Sequence, residues 1–202
     1  RLLYGGLASW WTPRPEDRAE MRRAVRRVAE VLRDRADYRG ALGVDGVLTA
    51  DGFRPTELNP RVSPGLAIQG MHSSGSFSLG TLNRALVEGE ELDYRPADLE
   101  RAVLANAEVN PHMRMMMVTA EPVDHTTSLP IAIEGAAVGV SDEDGAHGSL
   151  SLGPSAQGGL VMLRVGAENA LRGPSAAPVA ASAAALADAV WDTGNGPLIP
   201  AA

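Results

Sequence analysis

The feature that most restricts the fold is a short segment, residues 43–61, in which two runs of period two flank a turn at residues 50–52. This pattern is typical of a β-hairpin. Because successive side chains of a strand point to opposite faces, Glu57, Asn59 and Arg61 share one face while the chain stays extended. A carboxylate, an amide and a guanidinium on one face make a poor core, so the segment predicts a polar site.

The length of the hairpin loop decides which residue of the first strand faces this site. With a two-residue turn at Asp51 and Gly52, Asp45 lies opposite Leu58. With a three-residue loop, residues 50–52, closed by Gly52 in the left-handed conformation, Asp45 lies opposite Glu57. Glycine at the third loop position favours the longer loop. We therefore predict that the two carboxylates are cross-strand neighbours.

Two carboxylates that face each other across a pair of strands repel unless a cation lies between them. Oxygen ligands from Asp45, Glu57 and Asn59, completed by water and phosphate oxygens, suit magnesium. These three residues are the candidate metal ligands. The chain has no cysteine, which excludes a thiolate metal site, a cysteine nucleophile and a disulfide framework.

The composition narrows the classes of partner. All 18 basic residues are arginines and the net charge is −7, without the basic stripe that a nucleic-acid partner requires. No apolar run approaches the roughly 18 to 20 residues that cross a bilayer, and the first residues lack a signal-peptide pattern. We expect a cytoplasmic protein that binds neither nucleic acid nor membrane.

The remaining pattern predicts an α+β fold. A glycine- and serine-rich stretch, residues 65–80, indicates a boundary. Helical spacing of apolar residues predicts helices over residues 15–38, 81–88 and 96–108 and a C-terminal helix that stops near residues 192–194. Short apolar runs between turn clusters predict strands over residues 115–118, 129–133, 137–140, 149–152 and 160–165.

Several residues have a structural interpretation beside a functional one. The arginines of the first helix form either a solvated face paired with Glu20, Glu30 and Asp34 or a phosphate-binding face. The four histidines are isolated from one another and are expected at the surface or in single hydrogen bonds, and the methionine run at residues 113–117 is expected in a strand core.

The hairpin residues resemble a known family. Residues 43–45, the turn at 51–52 and residues 57–61 (Glu-Leu-Asn-Pro-Arg) are similar to the C-terminal half of the ATP-grasp domain. The pattern of that domain is an acid on one strand, then Glu-x-Asn, often followed by Pro-Arg. The longer run, residues 38–65, looks most like the peptide ligases of the pheganomycin type, which have an extra C-terminal domain.

The resemblance implies an ADP-producing ligase that joins a carboxylate to an amine through an acyl phosphate. In the family the two acids and the asparagine, here Asp45, Glu57 and Asn59, hold the magnesium ions that bridge the phosphates of ATP. Arg61 matches the arginine that helps bind the reacting carboxylate or acyl phosphate, which makes it the candidate catalytic residue. The cofactors implied are ATP and Mg²⁺, and the substrate implied is an amino acid or a peptide.

The resemblance also implies the residues that contact ATP or substrate, which are Glu57, Asn59, Arg61, Ser63 and Gly65. Two of these assignments have a structural alternative. Arg61 could form an ion pair with Glu57, and the serine and glycine could be turn residues without a substrate contact.

The domain organisation implied is residues 1–70 as the C-terminal half of an ATP-grasp domain and residues 71–202 as a C-terminal α+β domain for substrate recognition or structure. Two other functions remain open. One is an ATP-grasp carboxylase that activates bicarbonate. The other is a catalytically inactive ATP-grasp relic that serves as a binding module. Retention of the polar motif residues argues against the relic.

Members of the family also use lysines and a mobile glycine-rich loop from an earlier lobe to hold ATP, and this chain has no lysine and no such loop. It opens on Arg1 and then residues 2–4, Leu-Leu-Tyr, which resemble the middle of a strand. We therefore expect a partner for the motif, either an upstream ATP-grasp lobe or a second copy of the chain.

The 202-residue chain assayed alone should have no ligase activity, because it lacks those phosphate-binding elements, and adding the lobe that precedes Arg1 should restore activity. Formation of ADP in the presence of an amine acceptor is the measurement. Turnover by this chain in isolation would refute the expectation of a missing lobe.

Overall fold

A computed structural model describes residues 6–9, 12–71, 78–111, 113–119, 121–156, 158–169 and 175–199 of the chain. In chain order its helices and strands are β1 (Gly6–Ala8), α1 (Pro15–Ala36), β2 (Gly43–Thr49), β3 (Gly52–Asn59), α2 (Pro64–Met71), α3 (Leu79–Glu88), α4 (Pro96–Val109), β4 (Met113–Val118), β5 (Thr127–Glu134), β6 (Ala137–Val140), β7 (Gly148–Ser155), β8 (Gly158–Val165) and α5 (Ala177–Trp191). The fold is mixed α+β, as predicted.

Contacts divide the chain into two compact units. The hairpin unit is Thr12–Val109, and the sheet unit joins Arg1–Trp11 to Asn110–Ala202. The division differs from the predicted segments 1–70 and 71–202 for two physical reasons. Helix α2 packs on α3 and α4, which keeps residues up to 109 with the hairpin, and β1 pairs with β4, which brings the N-terminal strand to the sheet.

The predicted elements are present, with small differences at their ends. Helix α1 stops at Ala36, two residues before the predicted end, because Asp37 adopts a left-handed φ of 45° and its N–H donates to Arg33 O. The glycine- and serine-rich stretch contains α2 and the start of α3. The strand expected over residues 2–4 lies outside the described residues.

The sheet unit is built on six antiparallel strands in the order β1-β4-β8-β7-β5-β6. Alternate side chains of β4, Met113, Met115 and Met117, are buried, and the intervening ones are not. Helix α5 lies on the buried face and contributes Val179 and three alanines to the same core. Alanines allow a helix to approach a sheet closely, so this one helix closes the core. The methionine run is therefore strand core, as predicted.

The C-terminal end of α5 is held by a carboxylate. Asp188 accepts hydrogen bonds from the Thr193 hydroxyl at 2.8 Å and from the Asn195 N–H at 3.1 Å. These bonds hold the pKa of Asp188 below its ordinary value, with the Thr193 hydroxyl as the largest cause. Since the charged form is favoured by folding, this contribution to stability is complete above about pH 4 and is lost as the pH falls through the lowered pKa.

Close packing fixes the positions of β2 and β3 within the hairpin unit. Phe53 is buried, and its ring lies so close to Gly46 that a Cβ at that position would overlap it. At the turn, Gly52 has a φ of 101°, and a Cβ there would overlap the carboxylate of Glu20 on α1. Both glycines are therefore required by the fold. None of the helices in the described part of the chain is long and apolar enough to cross a membrane.

The substitution Val161→Ala should lower the free energy of unfolding by about 2 kcal/mol, because it removes buried methyl groups and leaves a cavity in the sheet core. Val161 is 0% exposed and Val140, on the same sheet, is 60% exposed. Val140→Ala changes strand propensity equally but should cost less than about 0.5 kcal/mol. Urea denaturation followed by circular dichroism measures both. Equal losses would contradict the core described above.

Candidate functional site

The two candidate carboxylates lie opposite each other on the hairpin. Asp45 of β2 is the register partner of Glu57 of β3, and Gly52 has a positive φ, so both predictions are confirmed. The predicted three-residue loop is wrong. Thr49 pairs with Gly52, which leaves the two residues 50–51 as the loop. The correct pairing therefore has another cause.

That cause is a β-bulge in β3. Gly46 pairs with Pro55 whereas Asp45 pairs with Glu57, so Thr56 is an extra residue between the two pairs. Continuing the register of the turn would place Asp45 opposite Thr56 and send the Glu57 side chain to the other face. Proline has no N–H to donate, and a bulge is one of the few strand positions that accept it. The bulge brings the two carboxylates together.

Asn59 completes the group. Its Nδ2 donates a hydrogen bond of 2.9 Å to Asp45 Oδ2 across the two strands. The carboxylates of Asp45 and Glu57 are exposed and Asn59 is half-buried. The amide is thereby oriented with its nitrogen toward Asp45, and its oxygen is the atom left for another partner. One face of the hairpin thus presents three oxygen-bearing side chains.

Arg61 lies beyond the strand, which ends at Asn59. Its own N–H donates to Asn59 O at 2.8 Å, so the chain bends there, and strand alternation does not set the direction of its side chain. The exposed guanidinium donates to Val62 O at 3.3 Å. No described acid lies within ion-pair distance of it, so the alternative of an ion pair with Glu57 is not seen in the described part of the chain.

Ser63 and Gly65 begin helix α2. The Ser63 hydroxyl accepts a hydrogen bond from the Leu66 N–H at 3.1 Å, which makes Ser63 the N-cap of the helix. A Cβ built on Gly43 would lie 3.8 Å from Ser63 Cβ and 3.9 Å from Asn59 Cβ. The start of α2 therefore lies beside the open end of the hairpin. The cap gives Ser63 a structural role, and its contact with a substrate stays a prediction.

The oxygen donors of Asp45, Glu57 and Asn59 suit magnesium better than a metal ion that takes all its ligands from the protein. Among the described residues, no group of three or more His, Cys, Asp or Glu side chains could hold a metal. Two carboxylates and one amide oxygen are a smaller set, and Mg²⁺ keeps several waters and phosphate oxygens in its shell. Repulsion between the carboxylates also favours a cation between them. The residues present therefore fit magnesium bound together with a phosphate ligand.

The other polar candidates have structural partners. His125 lies 3.0 Å from Asp124, and the Nδ1 of His147 accepts a hydrogen bond from the Ile133 N–H at 2.9 Å. His72 and His112 lie outside the described residues.

On the arginine-rich face of α1, two arginines form ion pairs at the solvent-exposed surface. Arg33 pairs at 2.8 Å with Asp34, one of the three predicted acids, and Arg22 pairs at 2.5 Å with Glu100, which was not among them. The phosphate-binding alternative for this face gains no support from these pairs.

A cleft of about 670 Å³ lies at the end of α1 and was not predicted from the sequence. Tyr38 and Tyr94 line it together with three arginines and three acids. Two of the charges already face each other, since Arg39 lies 3.7 Å from Asp37. The lining therefore has no excess of either charge. Helical spacing does not reveal such a cleft, because its walls come from segments far apart in the sequence.

Comparisons of the chain with protein-family models, with curated proteins and with solved structures find no match. The interpretation of the site therefore depends on its own geometry and on the motif.

At low ionic strength without divalent cations, Glu57→Gln should raise the free energy of unfolding by less than about 1 kcal/mol, because it relieves a like-charge cross-strand pair. Magnesium chloride, matched in ionic strength with sodium chloride, should then stabilise the parent and not the variant. Asp51→Asn removes one charge at the hairpin turn and should keep the magnesium response. An equal response in the parent and in Glu57→Gln would count against the metal site. Urea titrations measure all three proteins.

Proposed function

We propose that this chain provides the magnesium- and phosphate-binding part of an ATP-dependent ligase that joins a carboxylate to an amine. The observation that supports this function best is the opposed pair Asp45 and Glu57, brought together by a bulge and extended by Asn59. Both carboxylates are exposed and so add nothing to the core, and a bound cation would relieve the repulsion within the pair.

In this proposal the hairpin unit up to residue 70 corresponds to the C-terminal half of an ATP-grasp domain, and the lobe that covers the nucleotide comes from an upstream segment or a second copy. Asp45, Glu57 and the Asn59 amide oxygen would hold Mg²⁺, with phosphate oxygens of ATP completing its ligands. Magnesium neutralises phosphate charge and orients the γ-phosphate for transfer. At the start of α2, beside the open end of the hairpin, Pro64 has no N–H and the Leu66 N–H donates to Ser63 Oγ. The Gly65 N–H and the helix dipole are therefore what α2 offers to an anion.

The reaction has two steps. A carboxylate oxygen attacks the γ-phosphorus of ATP and ADP leaves, which gives an acyl phosphate. An amine then attacks the acyl carbon, inorganic phosphate leaves and the amine loses a proton, so that an amide bond forms. Arg61, exposed at the end of the hairpin, stabilises the charge on the carboxylate and the acyl phosphate with its planar fork of donors. The motif favours an amino acid or a peptide as the substrate.

Two substitutions separate binding from chemistry in the complete enzyme. Glu57→Gln removes a charge beside the magnesium and should weaken Mg-ATP binding and turnover together. Arg61→Lys keeps the charge and loses the fork, so it should leave ATP affinity nearly intact while turnover falls about a hundredfold. Calorimetric titration gives the nucleotide affinity, and mass spectrometry of the amide product gives the turnover.

The matched control is Arg54→Lys, the same change at an exposed position of β3, the strand that precedes Arg61, which should retain full activity. A fully active Arg61→Lys, or a Glu57→Gln that binds and uses Mg-ATP like the parent, would sink the site assignment. Assays of phosphate release with bicarbonate and with amino acids separate the ligase from a carboxylase. Absence of Mg-ATP binding by the complete protein would indicate an inactive binding module instead.

A further inference from the structure

The six-stranded sheet has a second face, opposite α5, and two arginines lie next to each other on it. Arg114 of β4 and Arg164 of β8 are direct register partners. Their neighbours along each strand, at positions 113, 115, 163 and 165, are buried on the α5 side, so both guanidiniums belong to the second face. Arg164 is exposed and Arg114 is half-buried.

The placement is unusual because the sheet unit is acidic. Its other two arginines, Arg1 and Arg172, lie outside the described residues. Its acids are Glu121, Asp124, Glu134, Asp142, Glu143, Asp144, Glu168, Asp188 and Asp192. In the described part of the chain neither Arg114 nor Arg164 forms an ion pair with any of them. The only hydrogen bond of either guanidinium to a described residue runs from Arg164 Nε to Met162 Sδ, at 3.1 Å.

Two guanidiniums at opposed positions on a sheet repel each other. An oxyanion between them converts that repulsion into attraction, and the planar fork of arginine suits a carboxylate or a phosphate. Ser149, the register partner of Arg164 on β7, adds a hydroxyl on the same face. The charge of this part of the surface is therefore complementary to an anion.

The next row of the same face is apolar. Met116 pairs with Met162, two residues along each strand from the arginines, which is about 7 Å away. Both methionines are half-buried, and their flexible thioethers adapt to apolar groups of different shapes. A bare phosphate would use only the arginines. A carboxylate with an apolar side chain one row away would use both rows.

We infer that Arg114, Arg164, Ser149 and the pair Met116 and Met162 form a binding site for an organic carboxylate that bears an apolar side chain, such as an N-acylated amino acid or the C-terminal end of a peptide. The arginines hold the carboxylate and the methionines contact the apolar group. The site is in the sheet unit and requires neither ATP nor magnesium, so it goes beyond the proposed function and stands or falls separately from it.

The test uses methionine methyl NMR of the whole chain without nucleotide or magnesium. The chain has seven methionines. N-acetyl-leucine should shift the Met116 and Met162 signals in a saturable way and leave Met113 and Met115, buried on the other face, unchanged. N-acetyl-leucinamide is matched in shape and lacks the charge, so it should give no saturable shift. Inorganic phosphate should bind at least about tenfold more weakly than the acid, because it makes no contact with the methionines.

Variants test whether Arg114 and Arg164 bind the carboxylate of the ligand. Arg114→Gln and Arg164→Gln should each weaken N-acetyl-leucine binding about tenfold or more, the effect of losing one charge-assisted hydrogen-bonding partner. Arg114→Lys should weaken binding by less. The control Arg84→Gln changes an exposed arginine that is already paired with Glu88 and should bind like the parent. Methyl signals that stay dispersed without ligand report an intact fold.

Equal shifts with the acid and the amide, unchanged affinity in an Arg114→Gln/Arg164→Gln double variant, or phosphate binding as tight as the acid would each overturn the inference. If the double variant fails to fold, the comparison of acid with amide on the parent protein alone decides.

Discussion

The sheet unit depends on one constraint, the burial of one face of six antiparallel strands under a single helix. Period-two alternation places Ile131, Leu150 and Leu163 on that face, all fully buried, and the alanine-rich surface of α5 allows the helix to approach the strands closely. The pairing of β4, β8 and β7 has no register shift. The residues between the buried ones are therefore directed to the second face. The adjacent arginines are thus a consequence of the packing on the opposite side.

The hairpin unit depends on a different constraint, the close packing of an aromatic ring on a glycine of the neighbouring strand. Phe53 lies over Gly46, which fixes the register between the turn and the bulge. Beyond the bulge, the carboxylates of Asp45 and Glu57 are exposed and have no core role. Packing therefore holds the part of the hairpin near the turn and leaves the open end for polar groups. Such a division is what a binding site on a rigid support requires.

The proposed ligase chemistry makes limited demands on this part of the protein. Phosphoryl transfer depends mainly on positioning and on neutralisation of charge, and a hairpin with two carboxylates, an amide and a nearby arginine can contribute both. The phosphates need further donors, and the proposed function assigns them to an upstream lobe or a second copy. The carboxylate site proposed on the second face of the sheet unit differs, because its guanidinium groups pair with the anion directly and no metal ion is needed.

The sequence by itself determined the elements, because hydrophobic period and turn residues act locally. Helices α1, α3, α4 and α5, strands β4 to β8 and the methionine core were predicted from spacing, whereas α2 and β1 were not, and the facing of Asp45 and Glu57 was predicted correctly. The reason given for that facing was wrong, since the loop has two residues and the bulge at Thr56 restores the register. Pro55 is a local sign of an irregularity in the strand, but where the extra residue falls depends on packing such as that of Phe53 on Gly46, which no local pattern encodes. Likewise the pairing of β1 with β4 and the meeting of Arg114 with Arg164 join residues far apart in sequence, so only the tertiary structure decided them.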